Sequence, residues 1–467
     1  MRAVPVWVWL PGSAEPVLAG ELAGGGPGAR FTYLPDYLGR ADALALDPVE
    51  LRLTRKKRGT VVVASDGLPG VIRDAKPAGY GADRLDAQAG RALTALELLE
   101  RGVPDGVGAV EVCHDIEAKL AWQPKALDQL QSLAQELDAA APASRALRRL
   151  DEDLDTSAGG ERPKTTLVHD GRLWLAKMQS RGDRPALPAR EFVAMRLARM
   201  AGLAVAEVEL HTFGAHQVLL VERFDRAGDP RQPQRCLYAS AHTVLRLAPQ
   251  AVRGDPQRSY LNLGDRLRIW ARDSEDLPEQ LHEVWRRMAF NALVGNVDDH
   301  PLNHGVLHEG SSALGWRLSP AFDITPALVP LPGRPQDGPL LSMATGVDGS
   351  ARTSIDQLLA AARHLGLAPD AAQIWLQGAV TLVAQHWEPM LREAARPVMA
   401  DAARLDALVA EARAAFAYGE WLAHQTFTCS ADTAPPPRTM PPRPAPANTP
   451  APPPSTPRTH SRCRSPP

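Results

Sequence analysis

The chain has 467 residues, of which 44% are hydrophobic and 23% charged, and a formal net charge of −2. That length supports two or three domains with cores of their own, and the composition is that of a globular protein. Residues 434–467 carry five arginines and no acid, which leaves −7 on the first 433 residues and argues against non-specific binding of the body to nucleic-acid phosphates.

The opening MRAVPVWVWLPG carries one arginine and a short apolar run bracketed by Pro5 and Pro11, and reads as a first strand rather than a leader. The first hundred residues are rich in Gly and Pro, with short runs such as VWVWL and TVVVAS (60–65), the pattern of a small β-rich unit with few helices. From Leu93 to Leu150 the pattern turns helical, and Leu127, Leu130, Leu133 and Leu137 form one apolar stripe. Strand character returns at 165–178, where Asp170-Gly171 marks a hairpin turn. A helix is expected over Pro188–Met200, closed by Gly202. A strand pair follows at 205–210 and 216–224. After Tyr238 the chain reads as mostly helical to about Thr428, broken by a proline-rich loop at 326–339, with one helix over Glu279–Val294. Residues 434–467 hold 14 prolines and read as a disordered tail. Cys113, Cys236, Cys429 and Cys463 form no CxxC pair and read as reduced thiols. No segment reaches the ~20 apolar residues that span a bilayer, so the expected compartment is the cytoplasm.

Chemistry concentrates at FNALVGNVDDHPLNHGVL (290–307). An apolar helix ends at Gly295, and Asn296, Asp298, Asp299, His300, Asn303 and His304 follow at once, a poor design for a core and a good one for a site. Asp298 and Asn303 have the D-x-x-x-x-N spacing of kinase catalytic loops, in which the aspartate takes the substrate hydroxyl proton and the asparagine helps hold magnesium. The spacing alone is common, and a capping Asp and Asn in an ordinary loop would explain it as well. Downstream, WRLSPAFDITP (316–326) ends a short strand at Phe322-Asp323, a carboxylate suited to a hard cation. Upstream, Ser157, Gly159 and Gly160 precede a strand, as small residues do where backbone N–H groups approach phosphate. Lys177 ends the run Leu173–Ala176 and can neutralise phosphate, although a snorkelling surface lysine is commoner. Glu191 lies in the first turn of the next helix, where the helix dipole alone would favour it. Each signal is modest; their order along the chain is the order a kinase fold requires.

These segments resemble the HipA family over residues 155–420. SAGGERPK (157–164) looks like its phosphate loop, VERFDR (221–226) like its hinge, and GNVDDHPLNHG (295–305) and LSPAFDITP (318–326) like its catalytic and metal-binding segments. The resemblance implies an α+β, protein-kinase-like two-lobed fold, with a β-rich N-terminal subdomain and connector (1–145), an N-lobe (146–228), a mostly helical C-lobe (229–430) and the tail (431–467). It implies Asp298 as catalytic base and Asn303 and Asp323 as magnesium ligands. Ser157, Gly159, Gly160, Lys164, Lys177, Glu222, Phe224 and His300 would contact ATP, and Ser157 would be an autophosphorylation site. The implied function is an ATP- and Mg2+-dependent serine/threonine kinase toxin. It would phosphorylate a cytosolic protein such as an aminoacyl-tRNA synthetase. A small helix-turn-helix antitoxin (HipB-like) would hold it, with DNA contacted only through that partner and no membrane involved. The family usually places a basic residue where this chain has Leu302, which implies slower transfer. Two other readings stay open: a small-molecule kinase, although such enzymes typically read HGD where this chain has Asn296-Val297-Asp298, and a weakly active scaffold for the antitoxin.

Overall fold

The computed structural model describes residues 3–24, 29–53, 67–130, 164–179, 185–248, 251–272, 274–308, 315–327 and 333–425. The TVVVAS run, the later half of the leucine stripe, Ser157, Gly159, Gly160 and the proline-rich tail lie outside them.

At the N-terminus, β1 (Ala3–Trp9), β2 (Pro16–Ala23), β3 (Arg30–Tyr33) and β4 (Val110–Val112) form an antiparallel sheet in the order β3-β2-β1-β4. Alternation along β1 buries Val4, Val6 and Val8 on one face. The expected scarcity of helices here does not hold: Gly70–Asp74, Tyr80–Ala89 and Ala95–Arg101 are helical, so helix begins well before Leu93. The last of these falls where helix was expected, and Thr94 and Glu97 open it with reciprocal side-chain bonds to backbone N–H groups.

The second sheet runs β5-β6-β7-β9-β8, with β5 (Lys125–Ala126), β6 (Lys164–His169), β7 (Arg172–Met178), β8 (Val208–Phe213) and β9 (His216–Glu222). Asp170 and Gly171 both take positive φ at the β6–β7 turn, as the Asp-Gly pair predicts. Trp174, Ala176 and Met178 point into a core with Leu130, Leu167, Val218 and Leu220. The alternation then puts Leu175 and Lys177 on the opposite face. β8 starts three residues later than expected. The helix after β7 spans Leu187–Met200, and Gly202 at φ +85° closes it.

The C-terminal part is mainly helical, with one correction. Tyr238 lies in a strand, β12 (Leu237–Ser240), which pairs with β13 (Gly305–His308) and then β14 (Trp316–Leu318), while β10 (Arg226–Ala227) and β11 (Gln234–Arg235) form a small ribbon before it. These strands are two to four residues long, too short for a period of two to stand out. The central helix, Leu277–Leu293, buries Leu281, Val284, Trp285, Met288 and Leu293, and Trp285 Nε1 donates to Leu358 O at 2.7 Å. Around it pack helices Tyr260–Trp270, Ile355–His364, Pro369–Ala395 and Ala402–Ala423. Gly295 ends the central helix at φ +62°, where a Cβ would sit 2.4 Å from Ala415 O, so only glycine fits between that helix and the candidate loop. Among the described residues no helix is long and apolar enough to cross a membrane.

Candidate active site

The first half of the site is built on β7. Lys177 Nζ donates to Glu191 Oε1 and to Asp323 Oδ1, each at 2.6 Å. Glu191 is buried, and its helix is held in place from the other side: Arg190 Nη1 donates to Pro326 O at 2.7 Å, three residues past Asp323. Glu191 is not in the first turn as expected, because the helix already starts at Leu187 and its first turn holds no acid; its work is to fix the lysine rather than to favour the helix dipole. Directly across the β6–β7 ladder stands Lys164, whose side chain shares the face of Lys177 and whose charge acts on both Glu191 and Asp323.

Electrostatics favour the charged forms of Asp323 and Lys177, whereas burial raises the Glu191 carboxyl in spite of Lys177. Burial pushes the Asp323 carboxyl upward, but Lys177 and Lys164 outweigh it and keep it well below the usual carboxylate range. Burial likewise works against the Lys177 ammonium, and Asp323 and Glu191 more than reverse this. The result is a partly open carboxylate beside two lysines.

Asp323 is positioned by backbone. Ala321 N–H donates to Ala204 O at 2.7 Å, and Ala206 N–H donates to Ala321 O at 3.0 Å. Arg287 Nη2, braced by Glu283, donates to Ser319 O at 2.6 Å. Asp323 itself takes φ +59°, a sparsely populated conformation for anything but Gly, Asn or Asp, and the strand that was expected to reach it ends at Leu318. Phe322 packs against Phe224 with ring centroids 5.4 Å apart, which brings the hinge segment onto the Asp323 segment.

The second half is the loop 295–304. Asn303 is buried at the end of a short 3-10 turn (Pro301–Asn303), just before β13. Because β13 and β14 are antiparallel, with Val306 opposite Leu318, the start of β13 and the end of β14 lie at the same end of the sheet; Asn303 and Asp323 flank that end. His300 is near enough to Asp323 to lower its proton affinity, and its buried Nδ1 has no hydrogen-bond partner among the described residues. Asp298 is exposed, and its charge is felt by Arg258.

The polar cluster at 296–304 is not all site. Asn296, Asp299 and His304 are buried. Asp299 Oδ2 accepts from Asn291 Nδ2 (2.8 Å), His304 Nε2 (2.7 Å) and the Tyr260 hydroxyl, and Asn296 Nδ2 donates to Asn291 Oδ1 at 3.0 Å. This is a satisfied internal network that shapes the loop, so adjacent aspartates do different work: Asp299 supports and Asp298 faces solvent. Composition alone does not separate them.

The hinge motif also divides. Glu222 turns its carboxylate to Arg172, at 3.2 Å, away from the lysines. Arg223, Asp225 and Arg226 tie the sheet to the N-terminal subdomain: Asp225 accepts from both arginines and from Gly108 N–H (2.8 Å), while the guanidinium groups donate to Asp105 O, Gly106 O and Gly108 O. Neither this network nor the Asp299 network had a sequence signal beyond the presence of the residues.

A sheet bearing a lysine held by a helix glutamate, joined to a helical lobe that presents a D-x-x-x-x-N loop and a half-buried aspartate, is the arrangement of a protein-kinase-like fold. Residues 156–387 match the family model for the HipA-like C-terminal domain, so the chain carries a domain of the HipA family. It is 30% identical over 199 residues to the serine/threonine-protein kinase toxin HipA of Shewanella oneidensis, 36% of this chain and 42% of that protein. It is 27% identical over 252 residues to Y4mE of Sinorhizobium fredii, a kinase by its name, over 49% of this chain and 56% of that one. The matches therefore span about half the length of these relatives. A chain from the S. oneidensis MR-1 complex of HipA, HipB and operator DNA shares the fold with a TM-score of 0.59 at 19% identity, over 87% of this chain and 95% of that chain.

Proposed function

We propose that this protein is an ATP-dependent serine/threonine kinase of the HipA type, acting as the toxin of a toxin–antitoxin pair in the cytoplasm. The observation that carries the reading is Lys177 held between Glu191 and Asp323 across two lobes. A lysine fixed in that way by two carboxylates is poised to take a nucleotide phosphate in exchange for part of its contact with Asp323. Asn303 and Asp323 supply the hard oxygen donors that magnesium favours, and the unpartnered His300 Nδ1 leaves a polar contact for a ligand. Bound magnesium–ATP would supply the γ-phosphoryl group. The protein residues position and neutralise: Lys177 and Lys164 face phosphate, Phe224 offers an aromatic wall, and Asp298 accepts the hydroxyl proton of the incoming serine or threonine. Ser157, Gly159 and Gly160 complete the phosphate site in this reading, with Ser157 as the autophosphorylation site, and Glu222 contributes to the adenine pocket through its backbone.

A protein substrate, of which an aminoacyl-tRNA synthetase is one example, is favoured over a small molecule by Asn296-Val297-Asp298 in place of HGD. The S. oneidensis complex supports a HipB-like helix-turn-helix antitoxin as partner, with DNA reached through it. Saturating ATP with magnesium should raise thermal stability, by about 2.7 kcal/mol at a hundredfold excess over the dissociation constant. Absence of any magnesium-dependent shift would count against the proposal.

A further inference from the structure

At the far end of the β6–β7 hairpin from Lys164 and Lys177, two imidazoles and a carboxylate converge. Glu209 and His211 alternate along β8 and so share a face. His169 closes β6 beside them. Glu209 Oε2 lies 2.8 Å from His211 Nε2 and 3.2 Å from His169 Nε2, and the three ligand atoms all fall within 4.8 Å of one another. Asp170 Oδ2 stands 3.6 Å from the same His169 nitrogen, on a largely exposed side chain.

We propose that His169, Glu209 and His211 form a binding site for a borderline transition-metal ion, zinc by preference, with Asp170 or water as fourth ligand. A tetrahedral zinc with ligand atoms at about 2.0–2.1 Å sets those atoms roughly 3.3 Å apart, and the three contacts at Glu209 and His169 bracket that value. Two nitrogens and one oxygen select zinc or its neighbours over magnesium, which prefers an all-oxygen shell. The ligands sit in fixed surroundings: the His169 backbone carbonyl accepts from Trp174 Nε1 at 3.1 Å, the His169 ring lies against Trp174, and His211 stacks on Phe213 with centroids 6.2 Å apart. All three ligands are half-buried, open enough to admit an ion without unfolding the sheet. A bound ion would clamp the β6–β7 hairpin to edge strand β8, bracing the sheet that carries both lysines without entering the nucleotide site.

The test uses the full-length protein, stripped of metal by a chelator and titrated calorimetrically with zinc chloride, then with magnesium chloride. One zinc per chain is expected, with no comparable magnesium binding in the absence of nucleotide. Loss of outer-shell partners alone costs about 10- to 100-fold in metal affinity, so His211→Asn, His169→Asn and Glu209→Gln should each weaken zinc by at least ~100-fold. Should a variant fail to fold, the wild type still decides: cobalt(II) should give the visible absorption of a tetrahedral nitrogen–oxygen site. Absence of zinc binding, unchanged affinity in the three variants, or sulfur-to-cobalt charge-transfer bands, which would put the ion on cysteines, each overturns the proposal.

Discussion

Two clusters of buried charge sit on the five-stranded sheet and its hinge, and they are satisfied in different ways. Around Asp225, every charged group is enclosed: two guanidinium groups meet one carboxylate, and they also donate to backbone carbonyls of residues 105–108 and to the Thr166 hydroxyl. Burial raises the Asp225 proton affinity, and Arg223 and Arg226 overcome this to hold it well below the usual range. Around Lys177, by contrast, two lysines face two carboxylates and the cluster stays open on the Asp323 side, where the side chain is 40% exposed. The first arrangement fastens the N-terminal subdomain to the hinge. The second keeps charge available for a ligand. Paired opposite charges thus make an internal joint in one place and a candidate phosphate site in the other, and completeness of hydrogen bonding tells them apart.

The largest stability effect should come from the closed cluster. Asp225→Ala leaves two buried guanidinium groups without their counter-charge, which typically costs about 3–5 kcal/mol. Denaturant unfolding should show that loss, whereas Asp323→Asn, on the open side of the other cluster, should cost far less stability and weaken magnesium–ATP binding. Equal effects of the two substitutions on unfolding would erase the distinction.

A smaller effect is expected at Asp47, in the N-terminal subdomain, whose carboxyl is pushed up to about 6 by burial although it accepts N–H bonds from Val49 and Glu50. Between the unfolded value of 3.8 and about 6 the folded state holds a proton that the unfolded state has released. Stability therefore falls as pH rises through that window, by at most ~3 kcal/mol from this group. Asp47→Asn should lose this dependence, measured as the difference between wild-type and variant unfolding curves at about pH 3 and about pH 7, on either side of that window.

The smallest effect concerns the loop. Leu302 is apolar yet 54% exposed, next to Asn303. A cation at a solvent-exposed position near transferred phosphate is worth about 1 kcal/mol, or roughly fivefold in rate. Leu302→Lys should raise phosphoryl transfer by that order and leave unfolding unchanged; a slower variant would place residue 302 away from the phosphate.

Much of this was legible in the sequence because it depends on local rules. Asp170-Gly171 fixed a hairpin, Gly202 a helix end, and the long helix before Gly295 showed its apolar period. Lys177 could be placed by the apolar strand that precedes it. What escaped reading depends on contacts across the chain. Asp299 needs Tyr260 and Asn291 to be recognised as internal, and Arg223 and Asp225 need residues 105–108. β14 was announced by its own segment, although it ends earlier than expected, whereas β12 and β13 are short and take their stability from pairing across the chain, so neither announced itself. The left-handed turn at Asp323 is imposed by the 204–206 segment and the central helix rather than by its neighbours in sequence.

The central claim is that Asp298 acts on the substrate while Asp323 acts on the bound nucleotide. Purified wild type, Asp298→Asn and Asp323→Asn should be compared for magnesium–ATP binding and for transfer of labelled phosphate to cytosolic protein and to Ser157. Asp298→Asn keeps size and much of the hydrogen bonding, so it should bind ATP like wild type and lose ~100- to 10,000-fold in transfer rate. Asp323→Asn should lose affinity for the magnesium–nucleotide complex itself. Equal transfer by wild type and Asp298→Asn would contradict the assignment, and no transfer by any of the three, with ATP still bound, would leave a binding scaffold in place of a kinase.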